Sequence, residues 1–184
     1  MTARKTSTEN IKLGTCRVLY GESPEVDLGL TAGGVEVEVT TTTHETTVDQ
    51  FGETVVKEII TGRNISVSVP MVETTVDNLV LVMPGATKIE DSSDDTKVKV
   101  EVRAAVGEDL LAGAQKLTLH PIGLDDTDKS EDLVIPKAAT PGGMNFAYVL
   151  DQERVFQADF KGYPDLDQDG LLFIYGDETA TVTP

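Results

Sequence analysis

Residues 33–40 read GGVEVEVT, in which Val35, Val37 and Val39 alternate with Glu36 and Glu38. A period of two admits a strand that is apolar on one face and wet on the other, and it excludes an amphipathic helix. The pattern returns twice. Ile65, Val67 and Val69 alternate with Asn64, Ser66 and Ser68, and Val98, Val100 and Val102 alternate with Lys97, Lys99, Glu101 and Arg103. Aromatic residues are only 5% of the chain and Trp is absent, so its core must be Val, Leu, Ile and Ala, a mixture suited to many short strands. At 184 residues the chain is long enough for one domain with a sizeable core and short for two.

Other segments fill in the frame. Residues 1–10 are polar and aperiodic and are expected to be a mobile arm, leaving 11–184 as a single domain. TCRVLY (15–20) reads as a short strand, followed by a loop through Pro24 and Gly29. A threonine-rich stretch follows the Val/Glu strand, and β-branched Thr favours extended backbone. We read about 40–54 as a projecting loop or hairpin that turns at Phe51-Gly52. VVKEIIT and the run from Asn64 are expected to pair as a hairpin about Gly62-Arg63-Asn64. One helix is predicted between Thr74, with Asp77 as a loose capping partner, and Pro84-Gly85; Val76, Leu79, Val80 and Met83 form its apolar stripe. Residues 87–96 include the acidic, serine-containing loop EDSSDD. KVKVEVR, KLTLHP and DLVIPKA read as strands, and VFQADFKGY and LLFIYGD as a last strand pair. About eight strands and one helix predict an antiparallel β-sandwich or partly closed barrel with a flanking helix.

The residues that carry chemistry are sparse. Two histidines, His44 and His120, have no metal-ligand neighbour at a recognised spacing, and each is expected to be solvated or at a strand end. Cys16 is the only cysteine, so no internal disulfide forms, and no activating motif surrounds it. Phosphate-binding glycine loops, nucleophile elbows and zinc-protease motifs are absent. Asp165, Asp167 and Asp169 with Gly170 match the first half of a calcium loop, yet the twelfth position is Gly176 rather than Glu. An acidic hairpin turn is the simpler reading. No cofactor is implied, and a structural role is expected rather than catalysis.

Charge narrows the partners. The formal net charge of −17 opposes affinity for nucleic acid or anionic membrane. No apolar run reaches the length of a membrane span, and MTARKTSTEN has no apolar stretch of the signal-peptide kind, so synthesis in the cytosol is expected. Lys97, Lys99 and Arg103 on one strand face offer a basic surface that would suit an acidic neighbouring subunit.

From DLGLTAGGVEVEV (27–39) onward the sequence resembles the major tail tube proteins of long-tailed, siphovirus-type bacteriophages. The likeness continues through VDQFGETVVKEIITGRNISVSVPMVETTVDNLVLVMPGA (48–86), DLVIPKA (132–138) and the closing VFQADFKGYPD…GLLFIYGD. Roughly two-thirds of the chain takes part, and the order and spacing of these segments carry the likeness. The resemblance implies a β-sandwich protomer that forms hexameric rings, whose sheets join into an inner barrel and whose rings stack through the long loop and terminal arms. It implies a place in the virion tail after assembly in the host cytoplasm. The implied partners are further copies of the chain, the tape-measure protein, and the tail-tip and tail-terminator proteins.

DNA would pass through the lumen without specific binding, since carboxylates repel a polyanion and lysines would hold it. Glu36 and Glu38 are the expected lumen-lining residues. The inter-ring contact is expected from Thr42, Thr43, His44, Glu45, Thr46, Thr47, Val48, Asp49, Gln50 and Phe51. Alternative readings are a secretion-system tube, a tail terminator, or a calcium-dependent ligand-binding sandwich.

Overall fold

A computed structural model describes residues 11–104, 106–151 and 153–181; the expected N-terminal arm, 1–10, lies outside the described residues. The protein is mainly β. Its strands are β1 (Cys16–Tyr20), β2 (Val26–Asp27), β3 (Glu36–Thr47), β4 (Val55–Met71), β5 (Ala86–Asp91), β6 (Asp94–Val102), β7 (Gln115–Pro121), β8 (Leu133–Ala139), β9 (Phe156–Gly162) and β10 (Ile174–Tyr175). A single α-helix, α1 (Val76–Val82), is found among the described residues. Eight strands form one antiparallel sheet in the order β2-β1-β7-β8-β9-β4-β3, with β10 added to β8, while β5 and β6 pair apart.

Alternation places the core. Ile65, Val67, Val69 and Met71 of β4 meet Phe156, Ala158 and Phe160 of β9, and these pack with Val18, Tyr20, Leu117 and Ile135 from the other half of the sheet. The sheet therefore curls over its own apolar face in a sandwich-like arrangement, and the barrel does not close. Gly162 marks the tightest approach, because a Cβ there would lie 2.4 Å from Ile65 Cγ2 and 3.0 Å from Ile135 Cγ2. At β8 the sheet splits: Leu133 and Val134 pair with β10, Ala138 and Ala139 with β9.

Several elements differ from the sequence reading. No reversal occurs at Gly62-Arg63-Asn64. Gly62 and Asn64 have no positive φ, which a tight hairpin turn requires, so the strand runs on and pairs with Thr42, Thr41 and Thr40. The loop expected at EDSSDD is the short turn of a hairpin whose first strand, β5, has no counterpart in the sequence reading; Asp91 Oδ1 closes the turn by accepting hydrogen bonds from the Ser93 amide and hydroxyl. LLFIYGD contributes only Ile174–Tyr175 to strand, and these residues pair with β8 rather than with VFQADFKGY. The helix cap is Thr75, not Thr74: its side chain accepts from the Asn78 amide at 3.1 Å. Asn78 and Val82 are the buried residues within the helix; of the predicted stripe, Met83 at the C-cap is buried and Leu79 packs partly buried against the core, while Val76 and Val80 are half-buried. Asn78 Nδ2 donates to the carbonyls of Leu28 and Glu73, which ties this two-turn helix to the body.

Candidate assembly surface

The most exposed regular structure is the β3–β4 ribbon. Strand β9 reaches β4 only as far as the Ile65–Gly162 pair, and beyond it β3 and β4 have only each other. From Asn64 to Val55 the ribbon extends roughly 30 Å at ~3.3 Å per residue. Its end is ordered by a 3-10 turn, Asp49–Phe51, where Phe51 N–H donates to Val48 O. Gly52 follows with φ 62° and ψ −129°, a conformation suited to glycine. Of the two forms expected for this segment, loop or hairpin, it takes the hairpin.

Its side chains are unusual for a free surface. Val55, Val56, Ile59 and Ile60 come in adjacent pairs, so a strand must place them on both faces, and all four are exposed, Ile60 by 52%. Phe51 at the tip is 66% exposed. Glu45 stands directly opposite Glu58, a like-charge pair that weakens the free ribbon. An isolated two-stranded hairpin is marginal in water, and an exposed β-edge invites another chain. The predicted contact residues Thr42–Thr47, with His44 and Glu45, lie along β3; Val48, Asp49, Gln50 and Phe51 form the tip. The structure brings all of them onto this one element.

At the ribbon's root Glu36 and Glu38 face away from the core. Register places Glu36 beside Ser68 and Asp159, and Glu38 beside Ser66 and Lys161. The Ser68 hydroxyl donates to Asp159, and Gln157 Nε2 donates to Ser68 Oγ at 2.6 Å. This outer face is polar and carries three carboxylates against one ammonium.

The basic strand face is largely neutralised within the chain. Lys97 pairs with Asp94 at 3.0 Å, Lys99 with Glu101 at 2.6 Å, and Arg103 lies 3.7 Å from the same Glu101. The Asp165 turn behaves as a capped 3-10 turn. Asp165 is 7% exposed; its Oδ1 accepts from the Asp167 amide at 3.1 Å and its Oδ2 from Gln168 at 2.9 Å. Asp167 and Asp169 are exposed, and among the described residues no three His, Cys, Asp or Glu side chains converge as a metal site.

Sequence reasoning missed one buried polar pair. His120, expected solvated or at a strand end, does sit near the end of β7 but is only 2% exposed, and its Nδ1 lies 2.6 Å from Asp132 Oδ1. Lys129 approaches the other carboxylate oxygen at 3.7 Å. His120 Nε2 has no hydrogen-bond partner among the described residues, so no hydroxyl or thiol nucleophile is set against this dyad. Burial pushes the Cys16 thiol pKa up, opposite to what a nucleophile needs. Asp132 is twelve residues from His120, and no local motif announces the pair.

A second missed feature is a recurring Asp-x-Ser/Thr turn. Asp91, Asp94, Asp125, Asp128 and Asp177 each accept from the amide two residues on, and four of them also accept from that residue's hydroxyl. These bonds hold all five carboxyls below the ordinary Asp range.

No helix among the described residues is long and apolar enough to cross a membrane. A scan against protein-family models finds no match for the chain, and a search of curated proteins finds none either.

Proposed function

We propose that this chain is a structural subunit that self-assembles into stacked rings, the tail tube of a long-tailed bacteriophage. The observation that carries the reading is the β3–β4 ribbon, whose aliphatic residues are exposed on both faces and whose tip presents Phe51. A surface of that kind is stabilised by burial against other chains, and further copies of the same chain are the partners a repeating tube supplies.

The outward carboxylates fit a conduit. Glu36, Glu38 and Asp159 share one polar face at the root of the ribbon, with Lys161 as the basic exception. Facing a shared axis, with each of six chains bringing a formal −17, such a surface repels duplex DNA and lets it pass. In this reading the subunit acts in the virion tail after assembly in the host cytoplasm. Its partners are its own copies, a tape-measure protein, and tail-tip and tail-terminator proteins. Lys97, Lys99 and Arg103 contribute less to subunit contacts than their number suggests, because Asp94 and Glu101 already pair with them.

The test is to shorten the ribbon without touching the body. Replacing residues 43–61 by Asn-Gly joins Thr42 to Gly62 through a two-residue turn at an existing cross-strand pair. Negative-stain microscopy is expected to show tubes from the full chain, while the shortened variant stays a folded monomer in gel filtration. Tubes of normal length from the variant, or a full chain that stays monomeric at every concentration, overturn the proposal.

A further inference from the structure

Between the end of β4, the start of β9 and the segment before it lies an apolar cavity of about 220 Å³. Met71, Leu79, Met144, Phe146 and Phe156 form its apolar walls, and its charged lining is the exposed Arg154 together with Glu73, whose Oε1 accepts from the Leu30 amide at 3.0 Å. Arg154 stacks over Tyr148 at 5.2 Å and makes no ion pair among the described residues. An apolar cavity of roughly 150 Å³ can accept benzene, so this one has room for a benzyl group.

The ribbon tip presents a complementary shape and charge. The ribbon tip holds Phe51 on an ordered turn, with Asp49 and Glu53 as its charged flanks and no basic residue from Val48 to Thr54. Phe51 matches the apolar walls, and the two carboxylates match Arg154.

The two features sit at opposite ends of one strand. The tip precedes Val55, where β4 begins; the cavity contains Met71, where β4 ends, paired with Phe156. The sixteen steps between them cover about 50 Å at ~3.3 Å per residue. A tip therefore cannot reach its own cavity without folding the strand back. It can reach the cavity of a copy displaced along the strand direction, and such a head-to-tail contact repeats without closing.

We propose that Phe51 of one copy seats in the Met71–Phe156 cavity of the next, with Asp49 and Glu53 set against Arg154, as the axial contact between stacked copies. This rests on the reading of the ribbon as an assembly element and adds the partner site on the body.

Disulfide trapping tests it directly. In a Cys16→Ser background, one population carries Gln50→Cys and a second carries Met144→Cys; they are mixed under assembly conditions and oxidised. A 50–144 cross-link between chains is expected, well above that formed with a control Leu166→Cys, an exposed site on the Asp165 turn. Phe51→Ala is expected to raise the protein concentration needed for stacking by roughly tenfold or more. It leaves the fold intact by circular dichroism, because Phe51 packs on little in the free chain. Arg154→Glu is expected to act similarly, and adding Asp49→Arg and Glu53→Arg to that variant is expected to restore stacking.

If tubes form but trapping at 144 is no stronger than at 166, or Phe51→Ala stacks like the parent, the cavity is not the axial site and the assembly reading survives. If the parent chain never associates, both fall together.

Discussion

Strand β4 is one strand under two regimes. From Ile65 to Met71 it lies inside the sheet, where Ile65, Val67, Val69 and Met71 are buried, Pro70 is buried with them, and Ser66 and Ser68 lie half-buried on the outer face. From Val55 to Asn64 it has a neighbour on one side only, and its apolar residues stand exposed in adjacent pairs. Backbone geometry is continuous across the boundary, so what changes is the company each side chain keeps. The inner half derives its stability from the chain's own core. The outer half carries comparable apolar content without a core of its own, and that surplus is the physical reason to read it as an interface.

Equal truncations on either side of the Ile65 boundary are expected to have unequal effects. Ile65→Ala removes a side chain packed against β9 and is expected to cost about 3–4 kcal/mol in unfolding free energy. Ile60→Ala, on the ribbon, is expected to stay within about 0.5 kcal/mol for the monomer while weakening assembly. Chemical denaturation of both variants, with gel filtration of the second, checks this. A costly Ile60→Ala in the monomer would mean that the ribbon folds back onto the body.

The two histidines repeat the contrast. His44 is exposed on the ribbon, and His120 is buried in the body against Asp132. Asp132→Ala removes the partner of His120 Nδ1, leaving neither ring nitrogen paired, and is expected to destabilise the fold by about 3 kcal/mol. His44→Ala is expected to leave monomer stability unchanged within about 0.5 kcal/mol. Thermal melts at neutral pH separate these outcomes, and equal effects would erase the distinction between the regions.

Much of this division was legible in the residues, for identifiable reasons. The alternation at 65–69 marked a strand with one face in the core, and Thr41–Thr47 marked extended backbone because β-branching restricts it. The alternation at 35–39 marked a strand but not its burial: β3 is the edge of the sheet, and Val37 and Val39 stay exposed. Gly62-Arg63-Asn64 misled because glycine and asparagine announce a turn by composition, whereas a two-residue hairpin turn requires positive φ, which no residue there adopts. Strand β5 was hidden because its two half-buried residues, Ala86 and Ile89, are three apart and so share no face, and its identity comes from pairing with β6. The His120–Asp132 pair was invisible because a contact across twelve residues depends on how a loop returns to the sheet. The Asp-x-Ser/Thr turns did leave a signal, five repeats of one tripeptide pattern, and a reading attentive to Asp as a backbone cap would have found them.

Within the ribbon the contrast is sharpened by its like-charge pair. Glu58→Lys places a cation opposite Glu45 and is expected to raise the melting temperature of the isolated chain by about 1–2 °C. If the ribbon is shaped for partners rather than for itself, the same change is expected to raise the concentration needed for assembly. A variant that assembles more readily would show that the repulsion serves no interface.

The smallest effect belongs to the body's loops, where acidic residues cap turns instead of facing partners. The Thr127 hydroxyl and then the Thr127 amide hold the Asp125 carboxyl below its ordinary value of 3.8. Because folding favours the carboxylate, its contribution is fully present above that ordinary value and is lost as pH falls through the lower, folded-state value. Thr127→Ala removes the hydroxyl and keeps the amide, so the Asp125 pKa is expected to rise part of the way back in a carbon-13 NMR titration of the carboxyl. The acid limb of the stability curve should begin at slightly higher pH. An unmoved titration would show that the turn's backbone, and not its side chain, sets the carboxylate, and the Asp-x-Ser/Thr pattern would then lose its claim to be more than loop composition.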